Sequence, residues 1–206
     1  MWNTSTVNTV DITEWFSRIR KQYAGQMQCG KGCSACCYGL FDITLADAVD
    51  VARGFEQLTP DVQQRVRSRA VDLHSMIRER TFSEDDPRID QIVDSANNPA
   101  CPCLGDAGEC LIYEHRPLAC RLEGVPMVDV NEGLFGDWCE LNFVEGVPDS
   151  AMRDLKLDYN RIDASEETRS AAIARQSGLP DPRAVTFIPS VIAEFDRFWK
   201  FLLLKK

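Results

Sequence analysis

The sequence lacks a basic face. Its net charge is −9 at pH 7, and its only adjacent lysines are Lys205-Lys206. A nucleic-acid partner demands clustered positive charge, so none is expected. Long apolar runs are also missing. No stretch approaches the roughly 20 residues that cross a bilayer, so no membrane span is expected. The opening Met1-Trp2-Asn3-Thr4-Ser5-Thr6 has neither the charged nor the apolar region of a signal peptide. The expected compartment is therefore the reducing cytoplasm, where cysteines persist as thiols or metal ligands. No internal repeat, low-complexity tract, Gly-rich phosphate loop, Ser–His–Asp arrangement or HExxH motif occurs.

What is abundant is cysteine, with nine in 206 residues. An odd count fits a disulfide framework poorly, and the adjacent Cys36-Cys37 pair rarely reaches bridging geometry. With 44% hydrophobic and 27% charged residues, the chain has enough apolar mass for one good core, or at most two small ones. Covalent staples are not needed to hold it together. The cysteines fall into two blocks. The first is Cys29-Gly-Lys-Gly-Cys33-Ser-Ala-Cys36-Cys37, on a loop loosened by Gly30 and Gly32. The second runs from Cys101 through Cys103, Cys110 and Cys120 to Cys139.

Helices are expected around these blocks. Ile12, Trp15, Phe16, Ile19, Tyr23 and Met27 recur at helical spacing over 11–27, with Asp11 and Glu14 as a capping box. Thr44 caps a second helix carrying Leu45, Val49, Ala52 and Phe55. Thr59-Pro60 opens a third through Ile77, because proline at the first helical position loses no hydrogen bond. A short helix is expected near 87–95. From 96 to 147 periodicity stops. That stretch reads as loop and turn, with a small hairpin allowed around Met127–Val130 and Gly133–Phe135. Helices resume at 149–159, at 165–177 before Gly178, and at 189–204. The fold class is mainly α: one irregular α-helical domain over residues 1–206, with a cysteine-rich loop region around a metal centre.

Closely spaced thiolates on one loop suit the corners of a cubane cluster, and equally a tetrahedral zinc. The spacing Cys29-x3-Cys33-x2-Cys36 is also the three-cysteine signature of radical S-adenosylmethionine enzymes. Here, however, the preceding segment is helical and no alternating strand–helix pattern follows. The second block supplies further thiolates, so metal binding would contribute to folding. Arg116 and Arg121 offer guanidinium donors to an anionic cluster; Arg116 has the alternative of pairing with Glu114 or Glu123. His74 and His115 read as a structural residue and a solvent-facing turn residue. The stripe Phe195, Phe198, Trp199 and Leu202 reads as core.

Cys101-Pro102-Cys103-Leu104, then Cys110-Leu111-Ile112-Tyr113-Glu114-His115-Arg116-Pro117-Leu118-Ala119-Cys120-Arg121, together with Cys29–Cys37, closely resembles the cysteine-cluster family named for its CxxCxxCC motif, also called YkgJ-like. The resemblance covers roughly residues 29–140. It implies a zinc- or iron-chelating centre. Flagellin lysine methylases are similar in this motif and are associated with an iron–sulfur cluster, but this chain is far shorter. At Cys103 the family pattern usually has an aromatic, so that residue is left out of the ligand set.

The expected ligands are Cys29, Cys33, Cys36, Cys37, Cys101, Cys110, Cys120 and Cys139, with Arg116 and Arg121 beside the cofactor. Eight thiolates serve either one centre with spare cysteines or two four-ligand sites. The clustered first block favours an iron–sulfur cluster, [4Fe–4S], and zinc is the alternative; no paired CxxC…CxxC ribbon layout is present. Three roles follow. One is a redox or cluster-dependent enzyme or electron-transfer partner. The second is a structural zinc module that docks an unknown protein partner. The third is a metal carrier.

Overall fold

The computed structural model of the chain describes residues 12–126, 128–129, 133–134 and 138–204. Asp11, Met127, Val130, Phe135 and Lys205-Lys206 lie outside the described residues. In chain order the elements are α1 (Ile12–Gln22), β1 (Asp42–Thr44), α2 (Leu45–Glu56), α3 (Pro60–Ile77), α4 (Arg88–Ser95), α5 (Leu118–Leu122), β2 (Val128–Asp129), β3 (Gly133–Leu134), α6 (Asp149–Ser177), β4 (Val185–Phe187), α7 (Ile188–Ala193) and α8 (Lys200–Leu204). The fold is mainly α, as expected, with two antiparallel two-stranded sheets, β1–β4 and β2–β3. The contacts divide the described chain into a first unit, residues 31–117 with 169–204, and a second, residues 12–30 with 118–168.

The first unit is built around α2. Leu45, Ala46, Ala48, Val49, Val51, Ala52 and Phe55 are all buried, so this helix is covered on nearly every side. Thr44 starts it as expected, its Oγ1 accepting from the Asp47 N–H at 3.1 Å. α3 begins at Pro60 and packs along α7. Phe55, Phe187 and Trp199 are fully buried; removing a side chain like Phe55 from water contributes roughly 1.5–3 kcal/mol. Phe55 meets Phe195 edge-on, with ring centroids 5.0 Å apart.

The second unit has its own apolar cluster. Trp15, Phe16, Ile19, Tyr23 and Met27 pack there with Leu122, Val125, Phe143, Ala151 and Leu155. The hairpin β2–β3 pairs Val128 with Leu134 and Asp129 with Gly133, within the two stretches where the sequence allowed one.

Three helix boundaries differ from expectation. α1 stops at Gln22, and Tyr23 and Met27 stay buried through a turn, Tyr23–Gln26, that contains Gly25. The segments 149–159 and 165–177 are one 29-residue helix, α6, because no proline or glycine interrupts it even where its apolar spacing lapses. The expected helix 189–204 is broken: α7 ends before Glu194 (φ −93°, ψ 12°), and a π-helical stretch, Phe195–Trp199, leads into α8. The Glu194 carboxylate lies 3.5 Å from both Arg80 and Arg197 and 3.8 Å from His74, contacts that favour the break at this residue. β1 and β4 were not anticipated, because three-residue strands carry no readable period.

Candidate metal centre

In the first unit, backbone pairing positions the sulfurs. After Cys33 the chain makes a 3-10 turn, Ala35–Cys37, closed by the Cys37 N–H donating to the Ser34 carbonyl at 2.9 Å. The next residues then pair with the segment before Cys101. Gly39 N–H donates to Pro99 O (2.9 Å), Cys101 N–H donates to Cys37 O (2.8 Å), and Tyr38 and Ala100 lie opposite between them. Two distant parts of the sequence are thereby clamped with Cys37 directly across from Cys101.

Cys101 leads into a tight hairpin. Gly105 N–H donates to Glu109 O (2.7 Å), Leu111 N–H donates to Cys103 O (2.9 Å), and Leu104 faces Cys110. The turn passes through Gly108 at φ +79°, a left-handed conformation that favours glycine. This fold-back carries Cys110 toward Cys101. The hairpin rests on the main core: Cys103 is 1% exposed inside it, and Cys101, Cys110 and Leu111 pack against it.

The electrostatics follow from that placement. Burial pushes the Cys110 thiol up to about 11, and the neighbouring Cys101 and Cys36 sulfurs add to the rise. The Ile112 N–H and the Arg116 guanidinium oppose it. Cys101 moves the other way. A hydrogen bond from the Cys103 thiol, outweighing burial, holds it below the ordinary thiol value, helped by the N–H groups of Cys103 and Leu104 and by the Arg69 guanidinium. Cys36, Cys101 and Cys110 therefore share one field, and Cys101 gives up its proton more easily than Cys110.

The Arg116 guanidinium is close enough to Cys110 for its charge to favour the thiolate. Its guanidinium carbon is 3.8 Å from the Tyr113 ring centroid, and its Nε donates to the Tyr113 carbonyl at 3.0 Å. Lys31 Nζ also lies over that ring, at 5.9 Å. His115 ends the turn Tyr113–His115 half-buried, and its Nε2 meets Gln57 Oε1 at an exposed contact of 3.2 Å. Arg121 lies in the last turn of α5.

Cys29, Cys120 and Cys139 belong to the second unit. There one buried side chain organises the first and the last. Asn142, 1% exposed, accepts with Oδ1 from the N–H groups of Gln28 (2.6 Å) and Cys29 (3.2 Å). Its Nδ2 donates to Cys29 Sγ (3.0 Å) and to Gly124 O (2.5 Å). Its own N–H donates to Cys139 O at 2.8 Å, and Cys139 N–H donates to Glu123 O at 3.3 Å. Gly124 is required for close approach: a Cβ there would lie 2.3 Å from Cys29 Sγ. Cys120 occupies α5, three residues before Glu123.

None of the nine cysteines is in a disulfide. Among the described residues, no three Cys, His, Asp or Glu side chains are already arranged to grip one ion. The donor chemistry fits a metal, since the Cys36, Cys101 and Cys110 thiols lie together with the Arg69 and Arg116 guanidiniums and N–H donors beside them.

Three contributors escaped the sequence reading: Arg69, whose Nη1 also donates to Leu104 O at 2.7 Å, Cys103 as a donor to Cys101, and Asn142. No spacing rule marks any of them. The structure also brings Ser190, His74 and Glu194 together, with His74 Nδ1 at 3.0 Å from Ser190 Oγ and Nε2 at 3.8 Å from Glu194. The arrangement is not a nucleophile site. Ser190 is fully buried and its hydroxyl donates to Glu79 O at 3.2 Å, so it ties α7 to the end of α3.

An α-rich scaffold whose loops gather thiols beside cations is that of a cysteine-rich metal-binding protein. The chain belongs to the CxxCxxCC family, described as "Putative zinc- or iron-chelating domain", whose model matches residues 28–140. No curated protein and no solved structure matches the chain. Among the described residues, no helix is long and apolar enough to cross a membrane.

Proposed function

We propose that the protein carries a cysteine-ligated iron–sulfur cluster, [4Fe–4S], and acts in a reducing, cytoplasmic setting as an electron-transfer or cluster-dependent protein. The ligand pool is Cys29, Cys33, Cys36, Cys37, Cys101, Cys110, Cys120 and Cys139. One observation carries the reading: main-chain pairing sets Cys37 across from Cys101, and the hairpin that follows carries Cys110 back beside it, so that the Cys36, Cys101 and Cys110 sulfurs act on one another. Thiols that penalise one another's charge are stabilised together by a metal cation, which each thiolate then ligates. Arg116 and Arg69 offset the remaining negative charge, and such donors raise a cluster's potential. A bound cluster supplies one-electron chemistry; the chain's residues hold it, shield it and set its charge.

The test is anaerobic purification followed by iron, zinc and sulfide analysis. The expected result is a brown protein with stoichiometric iron and sulfide, whose absorbance at about 400 nm bleaches with dithionite. A colourless protein with stoichiometric zinc overturns the cluster. That outcome supports a second reading, a structural zinc site. It is favoured by a specific grouping: the Cys36, Cys101 and Cys110 sulfurs act on one another and Cys37 pairs with Cys101 through the main chain, four cysteines in one unit, the number a tetrahedral zinc needs.

A further inference from the structure

We infer that Asn142 is a positioning residue for the metal centre, fixing the Cys29 sulfur and donating a hydrogen bond to it in the metal-bound state. The inference rests on the reading above in one respect, that Cys29 is a ligand. Asn142 lies beyond the matched family segment, which ends at residue 140. Its orientation is set by its partners. Two backbone N–H groups, from Gln28 and Cys29, face Oδ1, and the Gly124 carbonyl faces Nδ2. An amide flip would set oxygen against the carbonyl and N–H against N–H. Four hydrogen-bonding positions of the amide are thus filled, and the fourth partner is Cys29 Sγ at 3.0 Å.

A plain loop clamp needs only the three backbone partners. The fourth bond is what points to a charged sulfur. A neutral thiol is a weak acceptor, whereas a thiolate, free or metal-bound, accepts a charge-assisted bond. Gly124 permits the sulfur and the amide to approach each other here, since a Cβ at that position would lie 2.3 Å from Sγ and 2.6 Å from Nδ2. Donors that orient metal ligands in this way are typically worth 10–100-fold in metal affinity.

The experiment titrates the reduced, metal-free full chain with cobalt(II) and follows the thiolate-to-cobalt absorption, using wild type, Cys29→Ser, Asn142→Asp and the double variant. Asn142→Asp keeps an acceptor for Gln28 and Cys29 but replaces the donor with a second carboxylate oxygen. The expected result is a 10–100-fold loss of cobalt affinity in Asn142→Asp, and no further loss when it is added to Cys29→Ser. If Cys29→Ser binds cobalt like wild type, the ligand assignment of Cys29 is wrong. If Cys29→Ser weakens binding and Asn142→Asp does not, or adds to it independently, the ligand stands and the positioning role is overturned. Leu155→Ala serves as the structural comparison: it loosens the same apolar cluster, lowers the Tm and leaves affinity unchanged.

A second measurement needs no folded variant. Wild-type protein loaded with cadmium-113 is expected to show an NMR correlation between the Asn142 side-chain amide proton and the metal, transmitted through the N–H···S bond. A cadmium spectrum that shows Cys29 bound and no such correlation overturns the proposal.

Discussion

The two units place their cysteines by different physics. In the first, Cys37, Cys101 and Cys110 are held by main-chain pairing, with rungs at Gly39–Pro99, Cys101–Cys37 and Leu111–Cys103. Main-chain bonds depend little on which side chains flank them, so this arrangement is as firm as the core beneath the hairpin. In the second, Cys29 is held by the amide of one buried residue, Asn142. That arrangement depends on a single identity at a single position and only indirectly on the rest of the core. The difference locates the weak point of each: packing in the first unit, and one functional group in the second.

The largest expected effect tests whether that division holds. Phe55 is fully buried at the centre of the first unit's core, and Phe55→Ala is expected to cost about 3–5 kcal/mol of stability. The core under the Cys101–Cys110 hairpin loosens with it. In the reduced, metal-free protein, peptide-mapped alkylation of Cys101 and Cys110 should accelerate while that of Cys29 stays at the wild-type rate. Equal acceleration at all three would show that the second unit draws its order from the same core, and the comparison would fail.

The sequence made the parts of this picture with local causes legible. Thr44 caps α2 and Pro60 opens α3 because capping and proline chemistry act within a few residues. The two cysteine blocks were visible because metal ligation imposes spacing. What stayed hidden is non-local. The pairing of Cys37 with Cys101 spans 64 positions without a periodic signal. Asn142 and Arg69 look like ordinary surface residues until the fold brings Cys29 and Leu104 against them. The length of α6 is not legible because its apolar spacing lapses midway, although no proline or glycine interrupts it. Cys103, outside the expected ligand set, is buried and its thiol donates to Cys101, a role that no spacing reveals.

A smaller change probes only the support of the hairpin. Gly54 on α2 faces the turn after Cys110: a Cβ there would lie 2.7 Å from His115 Cβ and 2.9 Å from Ile112 Cβ. In Gly54→Ala, helix propensity gains about 0.8–1 kcal/mol, while overpacking against those two backbone-proximal atoms costs about 1–3 kcal/mol. The cost is expected to win, leaving a net loss of up to about 2 kcal/mol in thermal or denaturant unfolding. Displacing residues 112–115 also moves Arg116, so cobalt affinity should fall in Gly54→Ala while the effect of Asn142→Asp remains undiminished in that background. A stabilised Gly54→Ala protein with unchanged affinity would show that α2 does not support the metal loop.

The smallest effect is a pH dependence confined to the first unit. Burial lowers the His74 pKa below its ordinary value near 6.5; Glu194 opposes the shift, and Arg197 and Arg80 reinforce it. The folded protein therefore disfavours the imidazolium. As pH falls through 6.5, the unfolded chain takes up a proton that the folded chain resists. Stability contributed by neutral His74 is thus present above the unfolded pKa and is lost as pH falls toward the folded one. The Ser190 hydroxyl donates to Glu79 O, so His74 Nδ1 must donate to Ser190 Oγ, and protonation adds a hydrogen at the Nε2 that faces Glu194. The measurement is the change in Tm between pH 7.5 and 5.5, taken as the difference between wild type and His74→Gln so that protons released by metal binding cancel. Wild type is expected to lose more than the variant. Identical slopes would remove His74 as the titrating group, and a smaller loss in wild type would mean that Glu194, rather than burial, dominates its environment.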